Sequence, residues 1–253
     1  MMRTVFVYLT LIVMTVVLGI TAIVAALLGF RQKPGNFLER IPRLFARSAL
    51  WAGRVTVRVN NPEQIGHDEA RVYASNHVSW FDVFALAAVL PRYRFVAKKE
   101  LQRIPLFGRA AGIVAAIYID RRNRKAAFDA YADAARQVKE GFSVAVYPEG
   151  TRGRSYALRP FKKGPFVLAI AAQVPIVPVI VHGTREIQPK GAVRVRPGAI
   201  ELTLLEPVPT VGLTYDDRER LMQTVWERMA AELERRYGVL SDGAAIDTES
   251  LAG

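Results

Sequence analysis

Residues 4–30 carry no charged side chain and are dominated by Val, Leu, Ile, Ala and Thr. A run of that length exceeds the ~20 residues a helix needs to cross the hydrocarbon of a bilayer, so the pattern predicts a hydrophobic membrane helix. A secretory signal peptide would show an apolar stretch of only ~7 to 15 residues and a small-residue cleavage site. Arg31 follows instead, which favours an uncleaved anchor, either spanning the bilayer or lodged in one leaflet. Pro34 and Gly35 break that helix. Over residues 37–52, Phe37, Leu38, Ile41, Leu44, Phe45, Leu50 and Trp51 are interleaved with charged positions. A second, amphipathic helix is expected there, lying at the membrane interface with its arginines toward headgroups or packing on a protein core.

Beyond residue 53 the period changes. Residues 55–59, 72–74, 94–97, 114–119, 143–147 and 176–181 form short β-branched or apolar runs, and 193–195 and 200–204 alternate. These are predicted strands. Residues 124–140 show helical spacing and stop at Gly141, a candidate C′ glycine. A more buried helix is expected over 164–173. A third starts at Thr214, with Asp217 as capping-box partner and Leu221, Val225, Met229 and Leu233 along one face. Strands alternating with helices predict an α/β fold, a mixed and largely buried β-sheet flanked by helices, preceded by the N-terminal membrane helix. The expected organisation is an anchor and interfacial helix over 1–52, a folded domain over 53–237, and a disordered tail over 238–253, where large apolar residues are few.

Charge adds sidedness. Arg31, Lys33, Arg40, Arg43 and Arg47 outnumber Arg3 and the amino terminus on the other flank, which places the domain on the cytoplasmic side of the membrane. The formal charge of +12 favours anionic partners, such as anionic membrane lipids. No aromatic-interleaved basic motif points to nucleic acid. The absence of cysteine removes disulfides, a thiol nucleophile and thiolate metal sites, and His67, His77 and His182 leave little from which to build a metal centre.

Two motifs carry the candidate chemistry. Asn76-His77-Val78-Ser79-Trp80-Phe81-Asp82 lies at a predicted strand-to-helix junction, a common place for active sites. Residues five apart in a regular helix point ~140° away from each other, so Asp82 reaches His77 only if the histidine precedes the first turn. A carboxylate on Nδ1–H would leave Nε2 as the proton acceptor of a general base. Tyr147-Pro148-Glu149-Gly150-Thr151-Arg152 offers a guanidinium suited to phosphate and a turn with free backbone donors.

These two blocks, with Tyr118-Ile119-Asp120-Arg121 between them and Val174-Pro175-Ile176-Val177-Pro178-Val179 after them, resemble in order and spacing the four blocks of the glycerolipid acyltransferase family. Lys98-Lys99-Glu100-Leu101 followed by Ile104-Pro105-Leu106-Phe107-Gly108 is typical of its 1-acylglycerol-3-phosphate acyltransferases. The resemblance covers roughly residues 55–205. It implies that His77 activates the acceptor hydroxyl, that Asp82 orients it, and that Arg121, Glu149, Gly150, Thr151 and Arg152 bind the acceptor. Lys98 is either a further phosphate contact or an exposed lysine. The implied reaction esterifies the sn-2 hydroxyl of lysophosphatidic acid from acyl-CoA or acyl carrier protein, with no acyl-enzyme, no metal and no cofactor. Tyr118 and Tyr147 stand where phenylalanine is frequent, and Gly153 where serine is.

Rival classes fit less well. Gly141-Phe142-Ser143-Val144-Ala145 approaches a nucleophile elbow, but Ser143 would begin a strand rather than sit on a strand-to-helix turn. His67-Asp68 is an isolated pair without further metal ligands. An acyltransferase acting on another lysolipid, such as a lyso-aminolipid, and a non-catalytic membrane-anchored lipid-binding protein stay open as alternatives.

Overall fold

A computed structural model describes residues 1–120 and 124–241, without the side chains of 124–128. The apolar N-terminal run forms α1 (Met2–Leu27), and a single 3-10 turn (Phe37–Glu39) leads into α2 (Arg40–Gly53). The chain then alternates: β1 (Val55–Asn60), β2 (Val72–Ser75), α3 (Trp80–Val89), β3 (Tyr93–Lys98), α4 (Phe107–Val114), β4 (Ala116–Ile119), α5 (Arg124–Lys139) and β5 (Ser143–Val146). It ends with α6 (Gly164–Ala172), β6 (Ile176–His182), the one-turn α7 (Thr184–Ile187), β7 (Gly198–Leu204) and α8 (Arg218–Tyr237). Thr214 and Asp217 form the expected capping box, here at a 3-10 turn that runs into α8.

The sheet is mixed, in the order β1-β7-β6-β2-β5-β3-β4. β6, β2, β5, β3 and β4 are mutually parallel, whereas β6 and β7 are antiparallel. Five carboxyl ends therefore share one edge. Side chains alternate across a strand, so Val72, Ala74, Val144, Val146 and Ile180 face α5, α6 and α8, while Tyr73, Ala145, Val177 and Val179 face α2 and α3. Because β2 and β5 are buried on both faces, their sequences read as continuous apolar runs.

α1 lies against the domain. Thr4, Val7, Gly19, Ala22 and Ala25 are buried, and the last three let α1 approach α4 closely, with Leu106 seated against Gly19. Val7, Ala46 and Leu50 belong to the same apolar cluster as Phe81, Leu86 and Val179. The opposite face of α1 exposes Val5, Leu9, Ile12, Val16 and Ile20, and Leu44 and Trp51 of α2 extend that apolar surface. Phe6 meets Trp51 edge-on at 5.5 Å.

Two expectations are corrected. Residues 193–195 are not a strand: the Val195 N–H donates to Thr4 Oγ1 at 3.1 Å and the Val193 carbonyl accepts from the Tyr8 hydroxyl at 3.2 Å, so α1 side chains take the place of a neighbouring strand. The run 114–119 straddles a helix end, with Val114 closing α4 and β4 starting at Ala116. α4 escaped the hydrophobic pattern because it begins from Leu106 at φ 61°, ψ −55°, a conformation fixed by tertiary packing rather than by local propensity. Of the proposed tail, 238–241 are described and 242–253 lie outside the described residues.

Gly183 shows how tightly the β6 exit is built. Its φ is +91°, and a Cβ there would stand 2.2 Å from the Ala199 carbonyl oxygen; at Gly212, φ is +80° with open space around it. Gly212→Ala should cost about 1 kcal/mol from the backbone alone, whereas Gly183→Ala should cost about 3 kcal/mol by adding a backbone collision. Urea denaturation of the two variants measures the difference.

Candidate active site

β2 ends at Ser75 on the shared carboxyl edge, and the chain passes through Asn76 and His77 before Ser79 caps α3. Asn76 is locked to β6 in both directions, its Nδ2 donating to the Val181 carbonyl at 2.9 Å and its Oδ1 accepting the Val181 N–H at 2.8 Å. That pins the start of the loop. His77 therefore lies ahead of the first helical turn, the condition under which Asp82 can reach back to it.

Asp82 does reach back. It is fully buried, and its Oδ2 takes His77 Nδ1 at 2.8 Å, the Val78 N–H at 2.7 Å and the Ser79 N–H at 2.8 Å. An oxygen that already accepts two backbone N–H groups is matched by a ring nitrogen that donates, so the contact selects the tautomer with the proton on Nδ1, in which Nε2 is the acceptor. Ser79 and Asp82 form a capping box, which satisfies otherwise unpaired donors at the α3 amino end. The His77 ring stacks on Tyr147 with centroids 3.8 Å apart and planes 15° apart. Burial, and then the Asp82 charge, pushes the Tyr147 phenol well above its ordinary value, so it stays neutral beside the imidazole.

The second motif follows β5. Gly150 turns the chain at φ +77°, its N–H donating to the Tyr147 carbonyl at 2.9 Å. The Glu149 side chain points inward: Oε1 accepts the His77 N–H at 3.0 Å and Oε2 accepts Arg159 Nε at 2.9 Å. The Gly153 N–H closes the other side on the His77 carbonyl at 2.7 Å. Arg159 also donates to the Thr151 hydroxyl and carbonyl. Arg152 lies with its guanidinium carbon 5.0 Å from the Trp80 ring centre, and among the described residues no carboxylate pairs with it.

The structure thus brings His77, Asp82, Glu149, Gly150, Thr151 and Arg152 into one constellation. Lys98 is exposed at the carboxyl end of β3, on the same sheet edge. Arg121 lies outside the described residues. Sequence reasoning missed the shelf that Trp80 gives Arg152, the face that Tyr147 gives His77, and the role of Arg159 as partner of Glu149. Arg159 carries no local signal, because an ion pair between Glu149 and Arg159 depends on how the intervening loop folds. Also unforeseen, the Ser79 hydroxyl donates to the Gln188 carbonyl at 2.7 Å.

A family model described as Acyltransferase matches residues 56–182, just over half of the chain. The chain belongs to the acyltransferase family. A human protein named 1-acyl-sn-glycerol-3-phosphate acyltransferase beta is 33% identical over 210 residues, 81% of this chain and 76% of that one. The 1-acyl-sn-glycerol-3-phosphate acyltransferase of Limnanthes douglasii is 35% identical over 195 residues, 75% of this chain and 68% of that one. The crystal structure of the 1-acyl-sn-glycerophosphate (LPA) acyltransferase PlsC from Thermotoga maritima superposes with a TM-score of 0.74 at 26% identity, covering 93% of this chain and 96% of that chain. The matched span of this acyltransferase runs from β1 through β6 and contains both motifs; α1, α2 and the segment after β6 lie outside it.

Glu149 gives the site of this acyltransferase a pH signature. Burial raises its carboxyl above the ordinary glutamate value, against the lowering influence of Arg159 and the His77 N–H. Protonation would cost one of its two accepted hydrogen bonds and loosen the turn that carries Thr151 and Arg152. Acceptor KM should therefore climb on acidification before ordinary glutamates titrate, and in Glu149→Gln it should be raised already and flat through that range. Steady-state acceptor titrations across pH check this. Because the folded pKa is the higher one, the stability linked to this proton is present at low pH and lost as pH rises through the folded value. Unfolding through Glu149 would thus not mimic the effect.

Proposed function

We propose that this acyltransferase moves a fatty acyl group from a thioester, acyl-CoA or acyl carrier protein, to the free sn-2 hydroxyl of 1-acylglycerol 3-phosphate, giving phosphatidic acid. The observation that carries the chemistry is the 2.8 Å contact between His77 Nδ1 and a buried Asp82 that already holds two backbone N–H groups. It leaves Nε2 as a base at the sheet edge where Arg152 stands. The names of the relatives supply the acceptor.

In this reading Nε2 takes the hydroxyl proton as the acceptor oxygen attacks the thioester carbonyl. The tetrahedral intermediate collapses with cleavage of the carbon–sulfur bond, and the imidazolium returns the proton to the departing thiolate. No acyl-enzyme forms, and no step calls on a metal or redox cofactor. Arg152, with Arg121 and Lys98, holds the acceptor phosphate, while Gly150 and Thr151 shape the turn beside it. Glu149 serves by fixing the His77 backbone and Arg159 rather than by touching substrate.

The apolar faces of α1 and α2 support a membrane-associated enzyme. A helix docked on the body at Thr4, Val7, Ala22 and Ala25 fits insertion of its outer face into one leaflet better than a perpendicular crossing. The basic residues after α1 favour the cytoplasmic side, where anionic lipid would add attraction.

His77→Ala should lower kcat by about 10²- to 10⁴-fold in protein that remains folded and lipid-bound. Arg152→Ala should leave kcat largely intact and raise acceptor KM by about 10-fold or more, as loss of a charge-assisted hydrogen bond would. Purified protein offered lysophosphatidic acid, glycerol 3-phosphate and a phosphate-free lysolipid with one thioester should acylate the first. Acylation of the phosphate-free lipid alone would refute the acceptor assignment, and full activity of His77→Ala would refute the mechanism.

A further inference from the structure

We propose that Gln188, together with Tyr8 of α1, is a positioning residue for the His77–Asp82 pair, so that docking of the apolar helix on the body sets the geometry of the base. The inference rests on the reading of His77 as general base. A continuous hydrogen-bonded path connects the two places. Its first links are at the amino end of α1, where the Tyr8 hydroxyl donates to the Val193 carbonyl at 3.2 Å and accepts from Gln188 Nε2 at 3.1 Å. Thr4 adds a second tie, accepting the Val195 N–H.

Gln188 is the hub. Its side chain is buried, and Nε2 also donates to the Ala192 carbonyl at 3.1 Å and more weakly to that of Val193 at 3.4 Å. Its own carbonyl takes the Ser79 hydroxyl at 2.7 Å. Ser79 is the cap of α3: its oxygen accepts the Phe81 N–H and its N–H donates to Asp82 Oδ2, the atom that holds His77 Nδ1. The side chains of Tyr8, Gln188, Ser79 and Asp82 thus link the membrane-type helix to the base, with the Gln188 side-chain amide facing α1 and its main-chain carbonyl facing Ser79.

The buried amide of Gln188 holds the loop to Tyr8, and the main-chain carbonyl of the same residue holds it to the cap of α3. Hydrogen bonds inside the fold are costly to leave unmade, so a shift of α1 must be relieved somewhere along the path. The longer links are those of Tyr8, at 3.1 and 3.2 Å, whereas the Ser79 hydroxyl holds the Gln188 carbonyl at 2.7 Å, so a shift of the loop that carries Gln188 is passed on to Ser79. Neither Tyr8 nor Gln188 falls within the span matched by the family model, so the device belongs to the surroundings of the motif and not to the motif itself. Displacement of a catalytic group by about 1 Å is enough to cost up to ~10²-fold in rate.

Full-length Tyr8→Phe and Gln188→Leu, purified in detergent, test the proposal against wild type. Tyr8→Phe keeps the ring packing and removes only the hydroxyl, so folding is preserved even where Gln188→Leu is impaired. Expected are a kcat lowered by about 10-fold, an acceptor KM unchanged, and loss or broadening of the low-field proton resonance of the histidine Nδ1–H bonded to Asp82. Wild-type kcat with an intact resonance in Tyr8→Phe would overturn it, as would a lowered melting temperature in either variant with kcat and resonance unmoved. Full activity of His77→Ala would instead remove the premise, which separates failure of the base assignment from failure of the positioning role.

Discussion

One carboxylate oxygen organises the site. Asp82 Oδ2 collects an imidazole N–H and two backbone N–H groups at the amino end of α3, where unpaired helix donors and the helix dipole favour a negative charge. The same contacts cap the helix and orient the histidine, so local folding and the placement of the imidazole are a single event. The four residues between His77 and Asp82 are those needed for a cap, and a cap is what turns a carboxylate back toward a residue that precedes the helix. Change the spacing by one and the aspartate would leave N3, giving up the capping box and the imidazole together.

The sheet supplies what that oxygen cannot. Five parallel carboxyl ends on one edge bring the β2 exit next to the β5 exit, and Asn76 locks the first to β6 while Glu149 ties the second to the His77 backbone. Glu149 is an unusual tie because it is a buried charge. Removing two hydrogen-bond donors from around such a group costs more than the pair contributes to stability when intact, which makes the turn stiff under ordinary conditions and vulnerable when its partner is lost.

Much of this was legible in the chain. The period change near residue 53, the helix over 124–140, the capping box at Thr214 and the separation of His77 from Asp82 are local signals, and the structure contains each of them. The mixed sheet followed from alternation. Residues 193–195 misled because two apolar residues flanking a polar one look the same whether their backbone partners are a strand or the side chains of α1. α4 was invisible because it depends on Leu106 seated against Gly19 of α1, far away along the chain. The partners of the motifs, Arg159, Trp80 and Gln188, were unreadable for a like reason. Their identity matters less than the loop path that delivers them.

Under the proposed role of Arg152 in phosphate binding, its place over Trp80 has a consequence for how an anion would be received. An arginine held by a carboxylate must trade that counter-ion for an incoming phosphate, and the trade cancels much of the attraction. An indole face holds the guanidinium through its ring quadrupole without neutralising it, and it neither titrates nor competes for the in-plane donors of the fork. The cation is thereby kept in place with its charge undiscounted, and among the described residues there is no carboxylate that an anion would first have to displace.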